Sequence, residues 1–220
     1  MSASRDDILG RVRKALGRTD PAAVEDRLAR HAPNLVPARG LVGHEDRVAL
    51  FRAMAGEVGG TSERLASMAE LPAAIARYLA SQNLPAEAAI APDPFLDALP
   101  WGGAPMLKLR RGRTEGDDLV GITGAFGAVA ETGTLVILSG PANPTTLNFL
   151  SETHVVVLPT RHVAGTYEEI WARLRAEHAV IPRTVNLITG PSRTADIEQT
   201  IQRGAHGPRR LHIVLVDGDA

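Results

Sequence analysis

The fold is decided by the stretch at residues 185–216, VNLITGPSRTADIEQTIQRGAHGPRRLHIVLV. It begins with a short apolar run at residues 185–188 and ends with another at residues 211–216, and the bounded length and β-branched content of both runs suit buried strands. Between them, residues 194–203 have the spacing of a helix. A strand, a helix and a second strand in this order are typical of an α/β sheet whose strands run parallel where a helix crosses over.

Three further apolar runs lie upstream, at residues 119–123, 135–138 and 155–158, and a helical pattern covers residues 167–178. Turn residues separate these segments. The repeated alternation predicts an α/β fold, with a mostly parallel sheet and flanking helices. The runs at 119–123 and 135–138 are close enough in the chain to form an antiparallel ribbon instead.

The preceding part of the chain is less regular. Apolar residues at every third or fourth position predict helices at residues 45–58 and 71–82, and two glycines end the first of them. Residues 88–91 are expected to form a short strand, whereas residues 100–105 are too rich in proline and glycine for regular structure.

The first 40 residues form an N-terminal arm. Residues 4–17 predict a short helix that Ser4 can cap, and three prolines interrupt the weak periodicity of residues 19–40. We expect a partly helical linker that could pack on a partner or on another copy of the chain, giving a homo-oligomer. The α/β domain is expected to cover residues 41–220.

The composition excludes several functions. Lysine plus arginine number 24 and aspartate plus glutamate 25, so the formal charge of −1 provides no field that would attract nucleic acid. The absence of cysteine excludes thiol nucleophiles, disulfides and Cys-ligated zinc or iron–sulfur clusters on this chain. The chain also lacks a signal-peptide pattern and any uncharged apolar run of membrane-spanning length, so we expect a cytoplasmic protein without membrane insertion.

The segment Gly190-Pro-Ser-Arg-Thr-Ala-Asp-Ile-Glu198 is the strongest local motif. Gly190 permits a tight turn, Ser192 and Thr194 offer hydroxyl groups, and Arg193 could hold a carboxylate or a phosphate with two parallel hydrogen bonds. In an α/β sheet, ligands bind at the carboxyl edge of the strands, which favours an anion site here. Alternatively, Ser192 or Thr194 simply caps a helix, and the acidic residues that follow compensate its dipole.

A second motif, Gly204-Ala-His-Gly-Pro208, leads into the last strand. His206 titrates near neutral pH, so it could act as an acid, a base or an anion donor, or it could lock the turn by hydrogen bonding. The seven histidines form no His-x-His or His-x-x-x-His pair, so no metal site and no cofactor are expected.

The third motif covers residues 121–134 and has glycines at positions 121, 124 and 127, which is the wrong spacing for a dinucleotide-binding loop. Glu131 lies just before an apolar strand and could be a base or a carboxylate nucleophile. Alternatively, it caps a turn by accepting hydrogen bonds from the amides of Gly133 and Thr134.

Together, Ala130-Glu-Thr-Gly-Thr-Leu135, the motif at residues 190–198 and the motif at residues 204–208 resemble the lactate-utilization protein C family. The resemblance covers residues 121–216, and the long second motif with its close follower is its most specific part. One loop departs from the family pattern. Residues 145–152 read TTLNFLSE, where relatives usually have a basic residue and a Ser-Leu-Leu-Pro-like turn.

The resemblance implies a fold like that of ribose-phosphate isomerases, CoA transferases and formyltetrahydrofolate cyclo-ligases. It also implies a non-redox role beside two iron–sulfur partner proteins that oxidise L-lactate to pyruvate, in line with the absence of cysteine. We expect a cleft for a small carboxylate or phosphate, lined by Glu131, Thr132, Thr134, Ser192, Arg193, Thr194 and His206. Two alternatives are a CoA-transferase-like enzyme that uses Glu131 and a protein-interaction module that uses the arm at residues 1–40.

Overall fold

The computed structural model describes residues 2–17, 20–194, 202–204 and 206–218. The chain divides into two compact units, Met1–Leu35 and Val36–Ala220. The first unit contains two helices, Ser2–Leu16 (α1) and Pro21–Arg30 (α2). Asp20 caps α2, because its Oδ1 accepts a hydrogen bond of 3.0 Å from the amide of Ala22. Helix α1 covers almost all of the helix predicted at residues 4–17.

The second unit contains five α-helices and twelve strands in its described part. The helices are His44–Glu57 (α3), Leu71–Ser81 (α4), Pro94–Asp97 (α5), Thr146–Phe149 (α6) and Tyr167–Glu177 (α7). The strands are Thr61–Leu65 (β1), Glu87–Ile90 (β2), Lys108–Arg111 (β3), Val120–Gly124 (β4), Gly127–Val129 (β5), Thr134–Leu138 (β6), Thr153–Pro159 (β7), Val163–Ala164 (β8), Val185–Ile188 (β9), Arg193–Thr194 (β10), Gln202–Arg203 (β11) and Arg210–Val216 (β12).

The main sheet has six parallel strands in the order β1-β12-β7-β4-β2-β3. Strand β7 is buried along its whole length and β12 is buried after Arg210, which explains their continuous apolar sequences. Alternate residues of both strands face opposite sides of the sheet. Val155 and Val157 pack in one core with α4, whereas Val156 and Leu158 pack in another with α3 and β6. The predicted α/β fold is confirmed.

A second sheet of four strands, in the order β8-β5-β6-β9, covers one face of the main sheet. Strand β6 pairs antiparallel with both β5 and β9. The ribbon considered for residues 119–123 and 135–138 is therefore wrong, because these runs lie in different sheets. The run at 185–188 is also absent from the parallel sheet. It pairs with β6 instead. On its other side, β6 pairs with β5, whose three small residues have no strand pattern in the sequence.

The prediction of a helix at residues 194–203 is wrong for both ends of this segment, which form short strands instead. Strands β10 and β11 pair antiparallel, with Arg193 opposite Arg203 and Thr194 opposite Gln202. Residues 195–201, the middle of the predicted helix, lie outside the described residues. None of the helices in the described ranges combines the length and the apolar composition of a membrane span.

Candidate functional site

The two glycine-containing motifs near the C-terminus meet in one cleft of about 260 Å³. The amide of Ser192 donates to the carbonyl of Pro208 (2.8 Å), and the amide of Gly204 donates to the carbonyl of Ser192 (3.1 Å). The amide of His206 donates to the Ser192 hydroxyl at 3.3 Å. These bonds hold the loop after β9 against the loop before β12, so the motifs predicted to act together do lie together.

Three of the predicted residues, Ser192, Arg193 and His206, line the rim of this cleft. Arg193 and His206 are exposed and Ser192 is half-buried. The Arg193 guanidinium lies over Gly59, so closely that a Cβ at position 59 would be 2.0 Å from its Nη2 atom. The rim residues thus carry a hydroxyl, an imidazole and a guanidinium, and the guanidinium lies over Gly59, which does not line the cleft. The side chain of Thr194 lies outside the described residues, and its contact with a ligand stays a prediction.

The floor of the cleft contains two residues that the sequence did not single out, Asn148 and His154. Asn148 lies on α6 and is 1% exposed, and neither of its amide atoms has a hydrogen-bond partner in the described part of the chain. His154 is fully buried on β7. Its Nε2 atom lies 2.8 Å from the hydroxyl of Thr123, whereas its Nδ1 atom has no partner among the described residues.

Burial lowers the pKa of His154 to about 3, so its imidazole is neutral at physiological pH. Unpaired polar atoms are rare in protein interiors. Here three of them, both amide atoms of Asn148 and Nδ1 of His154, belong to residues that line the same cleft. The residues at the floor are therefore polar and uncharged, and their three unpaired atoms are themselves shielded from solvent.

The cleft lies at the amino edge of the main sheet, not at its carboxyl edge. His154 and Leu211 line it, and each is the second residue of its strand. The expected position is wrong because β9, which leads into Gly190, belongs to the second sheet and runs antiparallel to β6. The rule that places ligands at the carboxyl ends of parallel strands does not apply to it.

Glu131 is not among the residues that line this cleft. It is 4% exposed, and its Oε1 atom accepts a hydrogen bond of 3.3 Å from the amide of Tyr167, the first residue of α7. The negative charge at the start of a helix stabilises that helix. Glu131 therefore adds a second hydrogen bond at the start of α7, where the Thr166 hydroxyl is the N-cap, and the expected bonds from the amides of Gly133 and Thr134 are not the ones that the structure contains.

The hydroxyls of Thr132 and Thr134 belong to a partly buried hydrogen-bond network beside the cleft. The Oγ1 atom of Thr134 lies 2.7 Å from that of Thr132, 2.6 Å from that of Thr189 and 2.9 Å from the hydroxyl of Tyr167. Only Thr189 of this group borders the cleft. The predicted site is therefore divided: the residues of the third motif support the wall, whereas Ser192, Arg193 and His206 face the opening.

A second cavity, of about 660 Å³, lies at the carboxyl edge of the main sheet. Asp93, Gly124, Arg161 and His162 line it together with several apolar side chains. Burial raises the pKa of Asp93 and lowers that of His162. Asp93 already accepts a hydrogen bond from the amide of Phe95 and so caps α5.

No group of three histidine, aspartate or glutamate residues could hold a metal ion within the described ranges. What the fold and the cleft define is an α/β protein with a small, polar-floored cleft at the amino edge of its sheet. The family model for the LUD domain matches residues 48–216, and the chain belongs to this family. The resemblance found in the sequence is thus confirmed.

Three of the similar curated proteins come from bacteria. A stretch of 99 residues is 39% identical to an uncharacterised protein of Neisseria meningitidis, covering 44% of this chain and 41% of that protein. Lactate utilization protein C of Anoxybacillus flavithermus is 34% identical over 99 residues, which are 44% of each chain. The protein of that name from Geobacillus sp. (strain WCH70) is 36% identical over 103 residues, covering 44% of this chain and 42% of that protein. The matches thus span less than half of these relatives' length.

One solved structure is similar in fold. It is the crystal structure of a DUF162 family protein from Deinococcus radiodurans, with a TM-score of 0.54 and 22% sequence identity. The similarity covers 80% of this chain and 99% of the other.

Proposed function

We propose that the protein is a non-redox component of a lactate-utilisation system that oxidises L-lactate to pyruvate, and that its amino-edge cleft binds a small carboxylate or phosphate. The names of the relatives from Anoxybacillus and Geobacillus support the lactate connection. The proposed binding of a small anion is based on the cleft, because the two most specific motifs of the sequence converge there.

The composition supports a division of labour with iron–sulfur partner proteins. Oxidation of lactate to pyruvate removes two electrons and two protons, so an electron acceptor is needed. Iron–sulfur clusters are held mainly by cysteine thiolates, and this chain has no cysteine. We therefore assign the clusters to partner proteins and give this chain a role in binding or assembly.

The dimensions of the cleft suit a small anion. Its volume of about 260 Å³ lies below the range of roughly 300–1,000 Å³ that is usual for drug-sized ligands. Arg193 can hold a carboxylate or phosphate with two parallel hydrogen bonds. The Ser192 hydroxyl accepts a bond from His206, so its own proton can be donated to the ligand.

A CoA-transferase-like reaction at Glu131 has less support. A carboxylate nucleophile must reach an acyl group, whereas Glu131 is 4% exposed and is bonded to the start of α7. One observation favours the alternative of an interaction module at the N-terminal arm. Ile8, Val12 and Leu16 repeat at intervals of four residues and so form an apolar stripe along α1.

Reconstituted lactate oxidation tests the proposal. The iron–sulfur partner proteins are assayed with wild-type protein, without it, and with Arg193→Gln. The matched control is Arg113→Gln, because Arg113 is an exposed arginine that pairs only with exposed Glu115 among the described residues and lies outside the cleft. We expect activity to fall without the protein and with Arg193→Gln, but not with the control. Full activity without the protein, at unchanged partner stability, would contradict the proposal.

A further inference from the structure

We infer that the cavity at the carboxyl edge of the main sheet is a second ligand site, which binds an uncharged nitrogen heterocycle through an amino group on Asp93. The site is separate from the amino-edge cleft, and the inference does not rest on the proposed function. The cavity volume of about 660 Å³ lies within the range of roughly 300–1,000 Å³ that is usual for small-molecule sites. Its lining comes partly from the segments that follow three parallel strands, β2, β4 and β7.

The topology of the main sheet places this cavity where ligands bind in α/β proteins. Strands β2 and β4 are parallel neighbours. After β2 the chain turns towards the face covered by α4, since Leu96 and Leu99 pack in that core. After β4 it turns towards the opposite face, where Ala128 packs with the second sheet. Two neighbouring strands whose connections leave on opposite faces have a crevice between their carboxyl ends, and ligands of open α/β sheets bind in such a crevice.

Asp93 provides a free acceptor in this crevice. Its Oδ1 atom accepts a hydrogen bond of 2.9 Å from the amide of Phe95, whereas its Oδ2 atom accepts none from the described residues. Oδ2 remains accessible to solvent, so a ligand can reach it. It lies 3.0 Å from the point that a Cβ on Gly124 would occupy. The missing side chain of Gly124 therefore leaves space beside the carboxylate.

An aromatic ring borders the same space. The Cδ1 atom of Phe95 lies 3.8 Å from the point that a Cβ on Gly124 would occupy. Met68, Leu99 and Pro100 add apolar surface to the lining. A flat, mainly apolar ring with an N–H group at its edge fits these surroundings, because its faces can pack against apolar side chains while the N–H donates to the carboxylate.

The charges near the cavity favour a donor without a positive charge. Burial raises the pKa of Asp93, the negative charge of Asp97 raises it as well, and no cationic side chain of the described part lowers it. A hydrogen bond from a ligand would stabilise this carboxylate. Burial lowers the pKa of His162, and the positive charges of Arg173 and Arg161 lower it further. The same positive charges would repel an ammonium group, whereas an amino group on an aromatic ring donates without carrying a charge.

Titration of the full chain with nucleosides tests the inference by isothermal calorimetry. The probes are adenosine and cytidine, each compared with the analogue that lacks the amino group, purine riboside and pyrimidin-2-one riboside. We expect at least one of the two nucleosides to bind about tenfold more tightly than its analogue, because only the amino group donates to Asp93.

Asp93→Ser should abolish this difference between nucleoside and analogue. Serine also caps helices well, so α5 keeps its N-cap while the carboxylate is lost. Asp46→Ser is the matched control, because Asp46 is exposed on α3 and does not line the cavity. The comparison among nucleosides uses only the wild-type protein, so it decides the matter even if Asp93→Ser does not fold. Equal affinity for each nucleoside and its analogue, a difference that persists in Asp93→Ser, or no binding of either nucleoside would overturn the inference.

Discussion

The replacement Gly59→Ala should separate the role of Arg193 in the cleft from its contribution to stability. Gly59 has a φ of +88°, and a Cβ at this position would lie 2.0 Å from Nη2 of Arg193. The guanidinium is the end of a flexible side chain, so it must move away from Gly59. The backbone must also accept a conformation that costs a residue with a Cβ about 1–2 kcal/mol.

Gly116→Ala is the matched control. Gly116 has a φ of +105°, but a Cβ there would meet nothing within 4 Å. Both variants should therefore lose about 1–2 kcal/mol of unfolding free energy from backbone strain. Only Gly59→Ala displaces the guanidinium. Hydrogen bonds to a charged group contribute about 1.5–3 kcal/mol, so the lactate affinity of Gly59→Ala should fall about 10- to 150-fold.

Urea denaturation gives the stability of each variant, and isothermal calorimetry gives its affinity for lactate. We expect similar losses of stability and a loss of affinity in Gly59→Ala alone. Wild-type affinity in Gly59→Ala would refute the assignment of Arg193 to the ligand. An equal loss of affinity in Gly116→Ala would show that the effect is one of stability.

Three further predictions concern other parts of the chain. Glu131→Ala removes the bond that the Tyr167 amide donates at the start of α7 but keeps the Thr166 cap, and it should lower the unfolding free energy by about 0.5–2 kcal/mol without changing lactate affinity. Urea denaturation and calorimetry measure the two quantities, and a large loss of affinity at unchanged stability would contradict this structural role. Burial lowers the pKa of His154 to about 3 and that of His212 to about 4, so the unfolded chain binds more protons as pH falls below about 6.5. The unfolding free energy should therefore be highest above pH 6.5 and decline between pH 6.5 and 4 by up to about 1.4 kcal/mol per pH unit for each histidine; denaturation curves at pH 7, 6 and 5 that coincide would refute this. Removal of residues 1–35 should leave the melting temperature of the second unit nearly unchanged, as measured by calorimetry. It should also abolish any association that the arm mediates, as measured by analytical ultracentrifugation. A large shift in melting temperature or an unchanged association state would contradict these expectations.

The parts of the fold that could be predicted are those in which burial determines the sequence. Strands β7 and β12 are central, and their continuous apolar runs follow from being covered on both faces. Strand β1 was missed because it lies at the edge and reads TSERL, with one fully buried residue. Strand β5 was missed because its three residues are small and short runs carry no periodicity.

Part of the candidate site could also be predicted from the sequence. The rim residues Ser192, Arg193 and His206 lie in glycine-containing turns, which are visible in sequence. Asn148 lies between Leu147 and Phe149, and His154 directly precedes the apolar run of β7; such polar residues are indistinguishable from satisfied core positions until their partners are known. The edge at which the cleft lies depends on the direction in which β9 pairs, and pairing direction is a long-range property that the local pattern does not contain.

A crystal structure of the full chain with bound lactate is the most direct test of the claim that the amino-edge cleft is the functional site. We expect lactate in this cleft, with its carboxylate towards Ser192, Arg193 and His206. Lactate in the carboxyl-edge cavity beside Asp93 and His162, with the amino-edge cleft holding none, would contradict it.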